Sequence, residues 1–420
     1  MRPNRRVFVV GGAHSTYIGK GHPDYIGKGH PDYGTAANPS LEEHMGRATQ
    51  ATFSKLEIDP ADVDKAYVSN FLGECFASQG HLGAMLVRVE PRLSGKPIAR
   101  VEAACASGSA AIAACVDAMQ AGADVTFVAG VEVETNAGTR VGIDYMARAA
   151  HYAEERPLAD FTFPTFFARR AKAYKEAYGA TEEDIGRVVV KAYTQASRNP
   201  HAQMRTVRMD LDTAVRVTKH NALFLEDEAL RPHIKLFDCT TFTDGASAVV
   251  LATEDGLAKL GVPMHACTEI LSYGHTVRAL GAKTNPVALE NMQDAAQIAY
   301  RDAGVRPEEM EVVEVHDCFA INELLQYEAL GLCQPGEAPR LLADGVTAID
   351  GAIPVNTGGG LLGFGHPIGA TGVKQIIEIS DQMHGRCGDY QLAKRPALGV
   401  AANLGGDDRT GIVTVLRRCE

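Results

Sequence analysis

One short stretch in the first third of the chain constrains the fold most, because it alternates strand-like and helix-like segments. Residues 98–101 (IARV) form an apolar strand candidate, and residues 125–131 (VTFVAGV) have the composition of a buried strand. Between them, residues 109–121 (SAAIAACVDAMQA) are rich in alanine with few β-branched side chains, which favours a helix. A strand, a helix and a second strand in this order are typical of parallel α/β topology.

The remainder of the chain repeats this alternation around a different central region. Helices are predicted near 285–303 and 320–330, and strands near 7–10, 246–252, 311–315 and 397–402. The region 134–236 is rich in charged, aromatic and histidine residues and contains helical stretches such as 166–178. Because 420 residues can build two core units, we predict two α/β halves with a helical insertion. The N-terminal half takes residues 1–133 and 237–265, the inserted domain 134–236, and the C-terminal half 266–420.

Composition excludes several classes of protein. Lys and Arg number 41 against 52 Asp and Glu, a net charge of −11, so no general nucleic-acid surface is expected. No run of about 18 apolar residues predicts a membrane span. The nine cysteines are irregularly spaced and the N-terminal apolar run is short for a signal peptide, so we predict a reducing, cytoplasmic location. Without a CxxC pair or an HExxH motif, no metal is predicted.

A perfect tandem repeat lies near the N-terminus. Residues 17–24 read YIGKGHPD, and residues 25–32 repeat the same eight letters. Two copies of so short a unit do not make a solenoid. The favoured interpretation is a duplication that lengthens a surface loop. A phosphate-binding clamp is the alternative, although these glycines do not lie at a strand–helix junction.

Three segments contain the residues suited to catalysis. In residues 101–111 (VEAACASGSAA), Cys105 falls where a predicted helix begins, and the N–H groups of a helix N-terminus lower the pKa of a thiol. The alternative is a small cysteine buried in the core. In residues 313–320 (VEVHDCFA), His316 and Cys318 end a predicted strand, where side chains of a parallel sheet reach the ligand crevice. A packed core histidine is equally consistent with that segment.

The third segment is residues 356–372 (NTGGGLLGFGHPIGATG), in which seven of seventeen residues are glycine and His366 precedes Pro367. Its glycines match neither the Walker nor the dinucleotide spacing. One cysteine at a helix start, two histidines and a second cysteine indicate acyl transfer through a thioester. A histidine can take and return the thiol proton near neutral pH.

Together the three segments resemble the thiolase family, and the HDCF sequence at 316–319 resembles its sterol-carrier-protein branch. The resemblance runs from Val7 to Leu416 and implies a duplicated thiolase fold, with two similar α/β halves in a five-layer αβαβα arrangement and an inserted loop domain. The family's CxS motif falls on Cys105 and Ser107, and its GHP motif on residues 365–367.

The resemblance also implies the role of each site residue. Cys105 would be the nucleophile, His366 its activating base and Cys318 the acid/base for the α-carbon. His316 and the backbone N–H groups of Cys105 and Gly405 would stabilise oxyanions. Many thiolases carry a C-terminal CxG cysteine where this chain has Asn403, and Cys318 of the HDCF motif would replace it. The expected reaction is cleavage of a 3-ketoacyl-CoA by CoA, or the reverse Claisen condensation of acetyl-CoA with an acyl-CoA.

The same resemblance implies the ligands and partners. The expected substrates are acyl-CoA, acetyl-CoA and CoA, with no permanently bound cofactor. A homodimer or homotetramer is expected, and some thiolase-like chains need a small CoA-channelling partner protein. Two alternatives stay open: a ketoacyl synthase or hydroxymethylglutaryl-CoA synthase-like condensing enzyme, and a partner-dependent acyltransferase subunit. Acyl-chain length and the direction of the reaction do not follow from the sequence.

Overall fold

The computed structural model describes all residues, 1–420. The fold has ten strands, and all of them except Ile98–Val101 consist mostly of buried residues. They are β1 (Val7–His14), β2 (Ile18–Gly19), β3 (Lys65–Ser69), β4 (Ile98–Val101), β5 (Val125–Glu132), β6 (Thr243–Ala252), β7 (Thr268–Val277), β8 (Val312–Glu314), β9 (Leu398–Gly405) and β10 (Thr410–Arg418).

Fifteen α-helices connect and cover these strands. They are α1 (Leu41–Leu56), α2 (Gly73–Phe76), α3 (Leu82–Val89), α4 (Ser107–Gln120), α5 (Thr139–Met146), α6 (Tyr152–Glu155), α7 (Thr162–Tyr178), α8 (Glu182–Ala196), α9 (Leu211–Val215), α10 (Glu254–Leu260), α11 (Glu290–Ala303), α12 (Ala320–Ala329), α13 (Ala338–Ala343), α14 (Gly360–Phe364) and α15 (Thr371–His384). No helix has both the length and the apolar character needed to cross a lipid bilayer.

The strands form two half-sheets joined at one edge. The order is β4-β3-β5-β6-β1 in the first half and β7-β10-β9-β8 in the second, and β2 pairs with β6. The halves meet through antiparallel pairing of β1 with β7. The parallel topology predicted from residues 98–131 is confirmed for β4, β3 and β5. However, β6 pairs antiparallel with both β5 and β1. In the second half β10 pairs antiparallel with β7 and β9, and β8 pairs parallel with β9, so each half-sheet is mixed.

The two half-sheets lie on opposite sides of a central layer formed by α4 and α15, as the packing of alternate strand residues shows. In β1, Val7 and Val9 pack with α4 and α15, whereas Phe8 and Val10 pack with α1. In the second half, Val312 joins α4 and α15 and Val313 faces a third cluster with α11 and α12. Because side chains of a strand alternate between its faces, three clusters separated by two half-sheets give five layers. The predicted αβαβα arrangement is confirmed.

Five helices, α5 to α9, lie between β5 and β6, where the helical insertion was predicted. Of these, α7 and α8 pack in the same cluster as α12. The domain limits proposed from the sequence, 134–236 for the insertion and 265/266 between the halves, stay our proposal. The core thus brings the start of α4, the end of β8 and the segment before α15 to one side of the molecule.

The tandem repeat folds as two turns of the same kind with different surroundings. In each copy the histidine N–H donates to the carbonyl of the first glycine, Gly19 or Gly27, at 3.0 Å. The first copy contributes β2 and the fully buried Tyr17, while most of the second copy is half-buried or exposed. The prediction of a surface loop therefore describes the second copy, whereas in the first copy residues 17–19 and His22 are buried and only the other four residues are exposed.

Candidate active site

A single cavity of about 1110 Å³ contains all four side chains that the sequence singled out. Cys105, His316, Cys318 and His366 line it together with residues of the insertion and of the tandem repeat. One ligand atom from each of Cys105, His316 and His366 lies within 4.8 Å of the other two. Three distant segments of the chain thus meet at one point.

Cys105 lies in a tight turn between β4 and α4. Ala104 just before it adopts a left-handed φ of 49°, which L-residues rarely take and which turns the chain sharply. Ser107 secures the turn, because its Oγ accepts from the Ala103 N–H at 2.9 Å and donates to the Ala104 carbonyl at 2.6 Å. The spacing of the CxS segment therefore has a local physical reason: its serine fixes the backbone that presents the thiol.

The thiol of Cys105 is expected to be protonated in the free protein. Burial raises its pKa to about 12, the Gly406 N–H opposes that rise, and the carboxyl groups of Glu134 and Glu132 add to it. The sequence had predicted a lowered pKa at the start of a helix. That prediction is wrong for the resting state because burial removes the hydration of a thiolate, and the helix itself begins two residues later, at Ser107.

His366 has the geometry of a proton acceptor. Its Nδ1 lies 2.6 Å from Thr371 Oγ1, and that hydroxyl donates to the Pro367 carbonyl at 3.2 Å. With its one hydrogen so used, Thr371 accepts from Nδ1–H, which leaves the lone pair on Nε2. This Nε2 is buried without a partner, and burial lowers the pKa of His366 to about 3. The imidazole is therefore neutral and free to take a proton.

His316 has the opposite tautomer. The Cys105 carbonyl can only accept, so Asn403 must present its Nδ2, at 3.1 Å. The same Nδ2 lies 2.9 Å from His316 Nδ1, which consequently accepts and leaves the proton on Nε2. This second Nε2 is also buried and unpartnered. Burial, with a smaller effect of His366, keeps the pKa of His316 well below its ordinary value.

Cys318 and its neighbour Asp317 connect the HDCF segment to the glycine-rich segment. Burial, followed by the nearby Cys105, holds the pKa of the Cys318 thiol well above its ordinary value. Asp317 accepts from the backbone N–H of Leu361 at 2.7 Å and of Leu362 at 3.2 Å. Since these residues lie in α14, which ends two residues before His366, the Asp317 carboxyl sets the position of one histidine segment against the other.

The Gly406 N–H lies beside the nucleophile, since it opposes the rise in the pKa of the Cys105 thiol and Gly406 lines the cavity. The predicted oxyanion donor, Gly405, is the last residue of β9 and pairs with Thr410. Its role as an oxyanion donor stays a prediction.

Two buried carboxyl groups hold the backbone around the GHP segment. Glu132 accepts from the N–H of Phe71 at 2.9 Å and of Gly369 at 3.2 Å, and Glu134 accepts from the N–H of Ile368 at 3.1 Å. Burial raises the pKa of Glu132 to about 7. These contacts attach the segment after His366 to the end of β5 and thereby to the first half.

The arrangement of Cys105, His316 and His366 would also admit a divalent ion, since the three ligand atoms lie within 4.8 Å of one another. The sequence predicted no metal. The opposite tautomers of the histidines suit proton transfer and hydrogen bonding, because one Nε2 carries a proton that a metal would have to displace.

Sequence reasoning missed three residues that orient the predicted ones. Asn403 was noticed as the replacement of a cysteine, and Thr371 belonged to the glycine-rich segment, but neither was given a role. Gly406 follows the predicted Gly405 directly. Asn403 offered the clearest signal, since an amide in a buried strand needs polar partners, yet its partners are 87 or more positions away in sequence.

Comparison with known proteins identifies the class to which this fold and cavity belong. Residues 29–255 match the thiolase N-terminal domain, and residues 272–418 match the thiolase C-terminal domain-like family. An acetyl-CoA acetyltransferase of Methanothermobacter thermautotrophicus is 32% identical over 376 residues, covering 88% of this chain and 93% of that protein. Human sterol carrier protein 2 is 29% identical and covers 96% of this chain and 70% of that protein.

The fold agrees with these matches. The Ltp2-ChsH2(DUF35) aldolase superposes with a TM-score of 0.77 at 22% identity, covering 99% of this chain and 98% of that one. The chain belongs to the thiolase family, and its relatives include acetyl-CoA acetyltransferases and sterol carrier protein 2. The family resemblance drawn from the three motifs is confirmed.

Proposed function

We propose that this protein is a thiolase that cleaves 3-ketoacyl-CoA with CoA, or runs the reverse Claisen condensation, through an acyl-Cys105 intermediate. The observation that carries the proposal is the pair of opposite histidine tautomers beside one thiol. His366 offers a lone pair and His316 offers an N–H, each from a buried Nε2 without another partner. A base and an oxyanion donor are the two groups that thioester chemistry requires.

In the cleavage direction, His366 Nε2 takes the proton of Cys105 as the sulfur attacks the 3-keto carbon. Burial disfavours both ions separately, so we propose that the proton moves as the attack proceeds. The bond between carbons 2 and 3 then breaks, and its electron pair leaves as the enolate of acetyl-CoA. Cys318 protonates that enolate carbon, and His316 Nε2–H donates to the enolate oxygen.

In the second half-reaction, the Cys318 thiolate takes the proton of CoA, and the CoA sulfur attacks the acyl carbon. The bond from that carbon to Cys105 breaks, and His366 returns its proton to the Cys105 sulfur. The backbone N–H of Gly406 beside that sulfur is the proposed oxyanion donor together with the N–H of Cys105. One such donor contributes about 3 kcal/mol to transition-state stabilisation.

Two variants separate these roles. With Cys105→Ser, mass spectrometry after exposure to acyl-CoA should detect no acyl-enzyme. With Cys318→Ala, the acyl-enzyme should still form, but solvent exchange of the α-protons of acetyl-CoA should stop. Full Claisen activity of the Cys318→Ala variant would refute the assignment of Cys318, and acylation at a residue other than Cys105 would refute the nucleophile.

A second candidate function is a partner-dependent subunit with the same chemistry. It is favoured by the similarity in fold to a protein whose description joins two names, the Ltp2-ChsH2(DUF35) aldolase. Activity of the purified chain alone supports the first candidate. Activity that is restored only by co-expression with a second, small protein supports this one. A homo-oligomer and a cytoplasmic location stay predictions that size-exclusion chromatography with light scattering and cell fractionation would test.

A further inference from the structure

The wall of the catalytic cavity is rich in phenylalanine, and the proposed reaction by itself does not require this. Eight phenylalanines line the cavity. Six of them are only half-buried, which means that part of each ring is uncovered: Phe71, Phe161, Phe163, Phe224, Phe237 and Phe242. An acetyl group would leave most of this apolar surface exposed to water, although burial of apolar surface is favourable. At about 1110 Å³ the cavity also exceeds the ordinary range of about 300–1,000 Å³ for small-molecule sites.

Two pairs of these rings hold each other in fixed positions, and one pair lies next to the acid/base thiol. Phe319 follows Cys318 directly and stacks on Phe167 of α7, with ring centres 4.3 Å apart and planes inclined by 19°. Phe161 and Phe224 meet edge to face, with centres 5.2 Å apart. Offset-stacked and edge-to-face pairs are the arrangements that aromatic rings prefer, beyond the gain from burial. Such a wall favours a flat ring, which has little rotational freedom to lose, over a flexible chain of similar size.

Both copies of the tandem repeat line the same cavity, the first through residues 20–22 and the second through Tyr25 and residues 27–31. The two copies differ in how firmly they are packed. A Cβ on Gly21 of the first copy would lie 2.6 Å from Met204 Sδ, whereas a Cβ on Gly29, its counterpart, would meet nothing within 4 Å. The first copy is also tied to the core by Gln203, whose Nε2 donates to the Lys20 carbonyl at 2.9 Å.

We propose that the cavity binds an acyl group that carries an aromatic or alicyclic ring, and that the second copy of the repeat forms the wall that encloses this ring. The proposal rests on the thiolase function proposed above and adds the substrate class. The first copy anchors the loop, and the second copy, repeating the same turn, extends it along the cavity.

The test compares two acyl groups with the same number of carbons. Purified protein is exposed to 3-phenylpropanoyl-CoA, nonanoyl-CoA or acetyl-CoA, and the rate of acylation of Cys105 is followed by mass spectrometry. We expect 3-phenylpropanoyl-CoA to acylate at least about tenfold faster than nonanoyl-CoA. Equal rates, or a faster nonanoyl group, overturn the ring preference while acyl-Cys105 still supports the proposed function. Absence of acylation by all three thioesters refutes the function itself.

The wall is tested by variants of the protein. Deleting either copy of the repeat yields the same polypeptide, so the remaining copy can occupy the anchored position, and Tyr33 then follows it as Tyr25 does now. We expect the deletion to lower the ratio of phenylpropanoyl to nonanoyl acylation about tenfold. An unchanged ratio in the folded deletion variant refutes the role of the second copy.

A point substitution provides the check that does not depend on the deletion folding. Phe224→Leu keeps an apolar side chain but removes one ring from the cavity, and we expect a two- to tenfold lower ratio, the range for one lost ring–ring contact. Phe53→Leu is the matched control, because Phe53 stacks on Phe127 at 4.7 Å in the core of the first half, away from the cavity. A ratio that changes equally in both variants refutes the ring-binding wall.

Discussion

Asn403 joins the nucleophile segment to His316, and its replacement by alanine tests how the site is oriented. The side chain is fully buried, and its Nδ2 donates to the Cys105 carbonyl at 3.1 Å and to His316 Nδ1 at 2.9 Å. Asn403→Ala removes both donors without adding bulk. His316 Nδ1 and the Cys105 carbonyl then lose their hydrogen-bond partner inside the protein.

The magnitude has a structural and a catalytic part. A buried acceptor left without its partner costs about 1–3 kcal/mol, so two of them lower the free energy of unfolding by about 2–6 kcal/mol. The His316 tautomer is also no longer fixed, so Nε2 donates to the enolate oxygen in only part of the population. Loss of one oxyanion donor lowers kcat by about 10²–10³-fold, and we expect a decrease within that range for the condensation.

The assay measures kcat for condensation and, separately, the rate at which acyl-CoA acylates Cys105. We expect condensation to be slowed more than acylation, because His316 acts on the enolate. Gln375→Ala is the matched control: its Nε2 donates to the adjacent Ala402 carbonyl at 3.1 Å, and Gln375 does not line the cavity. The control should lose stability while keeping kcat within about threefold of the original. A folded Asn403→Ala variant whose condensation kcat lies within threefold of the original would refute the reasoning.

Two further predictions concern stability. Lys374 Nζ lies 2.7 Å from Glu314 Oε2 with both side chains buried, so Lys374→Met should lower the free energy of unfolding by about 3–5 kcal/mol, measured by urea denaturation. Adding Glu314→Gln should restore part of this loss, because it removes the unpaired buried charge. A loss below about 1 kcal/mol in Lys374→Met would contradict the importance of the ion pair. Burial lowers the pKa of His44 to about 4 from an unfolded value near 6.5, so acidification favours the unfolded chain. Between pH 7 and pH 5 the free energy of unfolding of the original protein should fall by about 2 kcal/mol relative to that of His44→Gln. If the difference in free energy of unfolding between the two proteins stays constant over that range, the titration of His44 is ruled out as the cause.

The sequence predicted the elements well because their local signals agree with their final environment. Strand β4 occupies residues 98–101, as its composition indicated, and α12 begins at Ala320 as predicted. The helix predicted from 285 begins at Glu290 instead, because its first residues bond elsewhere: the Asn285 carbonyl accepts from Arg170 Nη1 at 2.9 Å. Helix propensity depends on neighbouring residues and therefore does not predict a contact with Arg170, which is distant in the sequence.

The sequence by itself singled out the four side chains of the cavity, because Cys105, His316 and Cys318 each lie between a strand end and a helix start, and His366 lies in a glycine-rich segment before a helix. Composition and turn residues specify such positions locally. Only the tertiary structure decided the protonation of those side chains, since the tautomers depend on Asn403 and Thr371 and the thiol pKa on burial. The side chains lose their hydration, and hydrogen-bonding groups from distant residues come within reach, only when the chain folds. These properties therefore cannot be predicted from any single segment of the sequence.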